Sequence, residues 1–182
     1  GRASTLIVCG LAAIALRGQG VLVIAPGRLQ RGIMRGRIEN ALEVIGLSGF
    51  VRADELTRAR VQGWLVQDTK DGEPGVAAAQ LPDIIVATPK DLEAYLFGAS
   101  TPTRHSRKAL RRVMSHFEVL LVDDLDAFEG TARCHLPFLL DKLRLVHAAE
   151  MRVCQAVIVT GRLAKAAAPV LGERLLGLRR FS

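Results

Sequence analysis

Short runs of apolar residues alternate along the chain with longer segments in which apolar residues recur at helical spacing. Four continuous, largely β-branched runs are typical of strands buried on both faces, at residues 21–25, 83–87, 119–122 and 156–159. A fifth, weaker strand is predicted at residues 49–52. Helical spacing predicts helices at residues 4–17, 28–45, 90–97, 105–116, 131–148 and 163–175. Residues 66–81 are polar and predict a surface loop.

Alternating strands and helices are typical of right-handed βαβ units. The pattern therefore predicts one three-layer α/β domain over residues 1–182, with a central, mostly parallel sheet. The 182 residues are 49% apolar and 24% charged, which excludes a disordered chain. No apolar run approaches the roughly 20 residues needed to cross a bilayer, so no membrane partner is expected.

Three cysteines without CxxC spacing exclude a disulfide scaffold and a zinc ribbon. They favour a reducing, intracellular compartment: cytoplasm, nucleoid or nucleus. Because the first residue is not Met, we expect the sequence to be a piece of a longer protein.

The charge balance favours an anionic partner, nucleic acid first, since 25 Lys and Arg face 18 Asp and Glu for a net charge of +7. One basic cluster comprises Arg104, Arg107, Lys108, Arg111 and Arg112. Its spacing fits a phosphate-binding stripe or a solvated helix face. A second cluster comprises Arg28, Arg31, Arg35 and Arg37, of which the last two are predicted to be surface residues. Aromatic residues are only 4%, which favours backbone contacts over base stacking.

In open parallel sheets ligands bind outside the carboxyl ends of the strands. Four such ends are nominated: Pro26-Gly27-Arg28, Thr88-Pro89-Lys90, Asp123-Asp124 and Thr160-Gly161-Arg162. A carboxylate at Asp123 suits Mg²⁺, and one at Asp124 suits a water oriented against a phosphate. The alternative is that Asp123 and Asp126 only cap the following turn.

In order and spacing, these segments resemble the first RecA-like domain of superfamily 2 helicases of the DEAD/DEAH-box type, over essentially the whole chain. Residues 25–29 look like motif Ia and residues 87–92 like motif Ib, which touch the nucleic-acid backbone in that family. Residues 122–126 stand where motif II, Asp-Glu-Ala-Asp/His, belongs, and residues 160–163 where motif III, Ser-Ala-Thr, belongs. The resemblance implies nucleic-acid contacts from Pro26, Gly27, Arg28, Thr88, Pro89 and Lys90. It also implies ATP and Mg²⁺ as cofactors, and a second RecA-like domain in the same or another chain.

The chain departs from the family pattern in three places. The phosphate-binding loop of the family ends in Gly-Lys-Thr, whereas this chain begins Gly1-Arg2-Ala3-Ser4-Thr5. Ser4 thus replaces the lysine, while Thr5 and Asp123 remain as implied Mg²⁺ ligands. The implied cofactor-binding residues are Gly1, Ala3, Ser4 and Thr5.

The other two departures concern motifs II and III. Asp124 replaces the family's glutamate and is one methylene shorter, and a displacement of roughly 1 Å at such a position can cost about a hundredfold in rate. The implied coupling residues are Asp126, Thr160, Gly161 and Arg162, and we hypothesise an Asp126–Arg162 ion pair.

The departures predict a helicase-like nucleic-acid-binding domain with degenerate ATPase motifs and weak or no ATP hydrolysis. Two alternatives stay open: a non-catalytic scaffold that meets an acidic protein partner, and an active ATP-dependent helicase compensated elsewhere. DNA and RNA are equally compatible, because contacts to the phosphate backbone carry no base code.

Overall fold

The computed structural model describes residues 2–66, 75–76, 81–97 and 104–158. The described helices are α1 (Arg2–Arg17), α2 (Arg28–Val44), α3 (Arg58–Trp64), α4 (Pro89–Leu92), α5 (Arg104–Ser115) and α6 (Gly130–Ala149). The described strands are β1 (Val21–Ile24), β2 (Ala53–Glu55), β3 (Leu65–Val66), β4 (Gly75–Val76), β5 (Ile84–Ala87), β6 (Val119–Val122) and β7 (Gln155–Ile158). A π-helical turn (Glu93–Phe97) continues α4, and a short 3₁₀ helix (Leu125–Ala127) follows β6.

Five strands form one parallel sheet in the order β2-β5-β1-β6-β7, while β3 and β4 pair separately as a short antiparallel ladder. Val21 at the start of β1 lies opposite Ile84 on one side and Val119 on the other. Helices cover both faces of the sheet. The predicted fold class is confirmed: the structure is α/β with a central parallel sheet, consistent with a three-layer domain of the RecA-like type.

The continuous apolar runs supply both faces of the sheet, because successive strand residues point in opposite directions. Leu22 and Ile24 pack in a core with residues of α3 to α6. Val21 and Val23 pack in a second core with α1 and α2. All four residues of β1 are buried, as expected for a central strand of a parallel sheet.

The connections leave β1 and β6 in opposite directions. The chain after β1 passes through α2 on one face of the sheet to β2, whereas the chain after β6 passes through α6 on the other face to β7. Neighbouring strands whose connections diverge in this way open a crevice at their carboxyl ends, where ligands of open α/β sheets bind. This crevice places the candidate site after β1 and β6.

The fifth strand was predicted in the wrong place. Residues 48–50 form a turn, and the strand lies at Ala53–Glu55, paired with β5. Two of the three residues of this strand are acidic, so the sequence has no apolar run there that would predict a strand. Asp54 forms an ion pair with Arg60 at 2.7 Å, and Glu55 forms one with Arg31 at 2.8 Å. Ion pairs thus replace apolar burial at this edge strand.

The predicted loop at residues 66–81 is also corrected in part. Val66 and the segment Gly75–Val76 form the β3–β4 ladder, and Leu81 is buried. The remaining residues of that loop, and the predicted helix at residues 163–175, lie outside the described residues. Helix α3 was not predicted. In the described part of the chain, no helix has the length and apolar character that crossing a membrane requires.

Candidate functional site at the carboxyl ends of the strands

The chain turns sharply after β6 and carries Asp123 and Asp124 into the crevice. The Asp123 N–H donates to the Ile24 carbonyl oxygen at 3.0 Å, which holds Asp123 beside the end of β1. Asp124 adopts a left-handed backbone (φ 45°, ψ 64°), a conformation that aspartate tolerates better than most residues. Asp124 occupies the N-cap position of the 3₁₀ helix, yet its carboxylate makes no capping hydrogen bond. The alternative in which Asp123 and Asp126 cap this turn stays a prediction.

A cavity of about 860 Å³ lies between α1, α2 and the turn after β6. Its polar lining residues are Ser4, Arg37, Asn40, Asp123 and Asp124, and its apolar wall comprises Ile7, Val8, Leu11, Ala41 and Ile45. The structure thus brings Ser4 together with both motif II carboxylates, although they are more than a hundred residues apart in sequence.

Burial is the largest cause that raises the pKa of Asp123 above its usual value, and the neighbouring charge of Asp124 raises it further. Arg37 and the backbone N–H of Asp124 oppose this effect. Such a carboxyl gains stability when a cation approaches, because the cation offsets both the desolvation and the repulsion. The Arg37 guanidinium supplies such a positive charge beside Asp123.

Arg37 belongs to this site, which the sequence alone did not show. It was predicted as a surface residue, and its side chain is exposed, but it lines the cavity and its charge acts on Asp123. Helical spacing places Arg37 on one helix face with Asn40 and Ala41, at i, i+3 and i+4, but it does not indicate that this face meets Asp123.

The described residues do not fit a triphosphate with Mg²⁺ well. Among the lining residues that the structure describes, the cationic side chain is Arg37, set against two carboxylates, whereas a triphosphate requires fixed positive charge. Thr5 is exposed and is not among the described lining residues, so it is not shown facing Asp123. The described ranges contain no group of three or more His, Cys, Asp or Glu side chains that could hold a metal ion. Ala3 lies in α1, and Gly1 lies outside the described residues.

The motif Ia segment forms the turn between β1 and α2. Gly27 is the N-cap of α2, with extended backbone (φ −153°, ψ 174°), and it makes no side-chain cap because it has no side chain. Its carbonyl oxygen accepts the Arg31 N–H at 2.9 Å. Pro26 and Gly27 are half-buried, while Arg28 is exposed as the first residue of the helix. Arg28 is therefore the charged side chain of this segment that a ligand can reach.

The motif Ib segment is built around a capping box at the start of α4. The Thr88 hydroxyl accepts the Asp91 N–H at 3.2 Å and donates to the Asp91 carboxylate at 2.7 Å, and the Thr88 N–H donates to that carboxylate at 3.1 Å. Thr88 and Pro89 are buried, whereas Lys90 is exposed. Thr88 and Pro89 thus hold the turn in place, and Lys90 projects from it.

A buried ion-pair network connects these two turns. The Arg31 Nη1 atom donates to the Asp91 Oδ2 atom at 2.7 Å, and the Arg31 Nε atom lies 2.8 Å from the Glu55 Oε2 atom without the alignment of a hydrogen bond. The side chains of Arg31 and Asp91 are only 15% and 12% exposed. Arg31 thereby ties the first turn of α2 to α4 and to β2. From the sequence, Arg31 was predicted only as a member of the second basic cluster.

Thr160, Gly161 and Arg162, which were predicted as coupling residues, lie outside the described residues. Asp126 is half-buried in the 3₁₀ helix after β6. The Asp126–Arg162 ion pair stays a prediction.

Comparison with protein-family models finds no family that matches this chain, and a search of curated proteins finds no similar protein. The helicase resemblance stays a prediction from the strand-end segments of the sequence.

Proposed function

We propose that this chain is a helicase-like nucleic-acid-binding domain, with weak or no ATP hydrolysis, that contacts the phosphate backbone at the carboxyl edge of its sheet. Its partners would be DNA or RNA in an intracellular compartment, with a second RecA-like domain in the same or another chain. The observation that carries the proposal is the placement of two exposed cations, Arg28 and Lys90, on adjacent turns locked together by the Arg31–Asp91 ion pair.

The adjacency follows from the sheet. Ile24, the last residue of β1, lies opposite Ala87, the last residue of β5, and hydrogen-bonded strands are about 4.8 Å apart. Arg28 and Lys90 follow these residues by four and three positions. Two long cationic side chains on one rigid edge can neutralise phosphates of one strand, and such contacts position a nucleic acid without reading its bases.

Weak or absent hydrolysis is supported by the chemistry of the neighbouring cavity. Ser4 offers a hydroxyl where the helicase pattern has an ammonium group, and Asp124 has a shorter side chain than the glutamate of that pattern. The cation that faces this cavity, Arg37, comes from α2. Nucleic-acid contacts at Arg28 and Lys90 do not depend on any of these residues.

Salt-dependent binding of a fluorescent 20-nucleotide single strand, as DNA and as RNA, tests the proposal. The edge variant R28Q/K90Q is compared with R17Q/R152Q, which removes two exposed arginines from the opposite, amino edge of the sheet. Both variants lower the net charge by the same amount. Each lost phosphate contact lowers the slope of log K against log salt by about 0.7 for single strands, so the edge variant should lose about 1.4.

The control variant should keep the wild-type slope. Equal losses in the two variants would show that binding reflects overall charge and would contradict the assigned surface. A wild-type chain that binds neither strand at low salt would favour the protein-interaction scaffold instead.

A further inference from the structure

A groove between α5 and α6 lies on the face of the sheet opposite to α2. It encloses about 420 Å³ and is lined by Lys108, Arg111, Lys142, Leu145, Val146, Ala149 and Glu150. Cationic side chains and an apolar floor meet there, away from the turns that carry Arg28 and Lys90. The role of this groove is therefore independent of the proposed nucleic-acid edge.

Helix α5 contributes the basic side of the groove. Its inner face, with Leu110, Val113 and Met114, packs into the core. Lys108 and Arg111 lie one turn apart on its outer face and are exposed. Within the described ranges, neither of them has an acidic partner. Packing of α5 is thus complete without these two cations, which leaves them available to an anionic ligand.

Helix α6 contributes an apolar stripe. Phe138 and Leu145 are 68% and 69% exposed, Ala149 is exposed as well, and these three residues recur at intervals of seven and four residues. Apolar residues at this spacing form the stripe along which another helix can pack against α6. The opposite face of α6 already packs into the core. The exposed stripe therefore has the form of a helix-binding surface.

We propose that this groove binds an acidic amphipathic helix of another protein. Three cations, Lys108, Arg111 and Lys142, surround the floor formed by Leu145, Val146 and Ala149. The acidic residue in the lining, Glu150, has its carboxylate 3.9 Å from Arg112. A partner helix with apolar residues at i, i+3/i+4 and i+7, flanked by Asp or Glu, complements both the stripe and the charge. A nucleic acid would use the cations but would leave the apolar floor uncovered.

A displayed library of 18-residue helical peptides tests the proposal. Leucines are kept at i, i+4, i+7 and i+11, and the flanking positions vary among acidic, basic and neutral residues. The enriched sequences should be acidic, and composition-matched peptides with scrambled order should bind at least tenfold more weakly. In amide NMR spectra, shifts caused by an enriched peptide should map to α5 and α6.

The groove variant R111E/L145D is compared with R17E/L16D, which makes the same changes at exposed positions of α1. The groove variant should weaken peptide binding at least tenfold, whereas the control variant should bind as the wild type does. Enrichment of neutral or basic peptides, or equal binding by both variants, would overturn the proposal. Displacement of a bound peptide by an oligonucleotide from wild type but not from R28Q/K90Q would place the peptide at the nucleic-acid edge and would overturn it as well.

Discussion

Asp91 accepts hydrogen bonds from Arg31 of α2 and from Thr88. Replacing Asp91 therefore tests whether the ion pair between Arg31 and Asp91 holds together the two turns that carry Arg28 and Lys90. Its Oδ2 atom accepts the Arg31 Nη1 donor at 2.7 Å, the Thr88 hydroxyl at 2.7 Å and the Thr88 N–H at 3.1 Å. D91N keeps the shape and one oxygen acceptor but removes the charge that faces Arg31. D91A removes the charge and the carboxylate half of the capping box, while the Thr88 hydroxyl can still accept the backbone N–H of residue 91.

The structure sets the expected size of each loss. A hydrogen bond to a charged group contributes roughly 1.5–3 kcal/mol, and Arg31 keeps its contact with Glu55, so D91N should lower the free energy of unfolding by about 2 kcal/mol. D91A also leaves the Thr88 donors without their acceptor, which costs about 1 kcal/mol, and breaking a buried pair costs about 3–5 kcal/mol. We expect about 4 kcal/mol for D91A.

Urea unfolding at pH 7 measures these losses through the fluorescence of Trp64, the one tryptophan of the chain, which is buried. E39Q is the control, because Glu39 pairs with Arg35 on an exposed helix face at 2.9 Å. An exposed pair of this type contributes about 0.3–0.5 kcal/mol. Equal shifts for D91N and E39Q would refute the reasoning, since burial would then make no difference to the ion pair. A loss in D91N that exceeds the loss in D91A would refute it as well.

Two further predictions concern Asp123. Burial and the charge of Asp124 raise the pKa of Asp123 in the folded state above the ordinary value of 3.8. The free energy of unfolding therefore falls as the pH rises from 3.8 through the folded pKa, because the carboxylate is less stable in the folded state than in the unfolded chain. D123N should therefore melt at a higher temperature than the wild type at pH 7, and the difference should shrink as the pH falls towards 4; a constant difference would contradict this account. The second prediction concerns nucleotide binding: calorimetric titration with Mg²⁺ and ATP should give the same weak affinity for the wild type and for D123A. ATP binding that depends on Asp123, together with release of phosphate, would instead establish the alternative of an active ATP-dependent helicase.

The core strands were predictable because each is a continuous apolar run that the sheet buries on both faces. Residues 21–25, 83–87 and 119–122 were confirmed to within one residue. Strand β2 was missed for the opposite reason. Its residues, Ala53–Glu55, are held by pairing with β5 and by ion pairs of Asp54 and Glu55. The spacing of apolar residues gives no indication of either interaction.

Some features of the residues that follow β1 and β5 could be predicted from the sequence, and others could not. The sequence predicts polar residues directly after the strands, because turn-forming residues end the apolar runs. The burial of Thr88 and Pro89 and the exposure of Arg28 and Lys90 could not be predicted, because they depend on how the two turns pack against the rest of the fold.

The amino-acid order alone determined which segments form the central strands and which polar residues stand at their ends, because both depend on neighbours a few positions away. Only the tertiary structure decided that Arg37 faces Asp123 and that Arg31 joins two turns 60 residues apart. Such contacts arise when strands pair in parallel and bring distant turns to one edge, and their energy comes from burial and charge at that edge. No local pattern in the sequence contains that information.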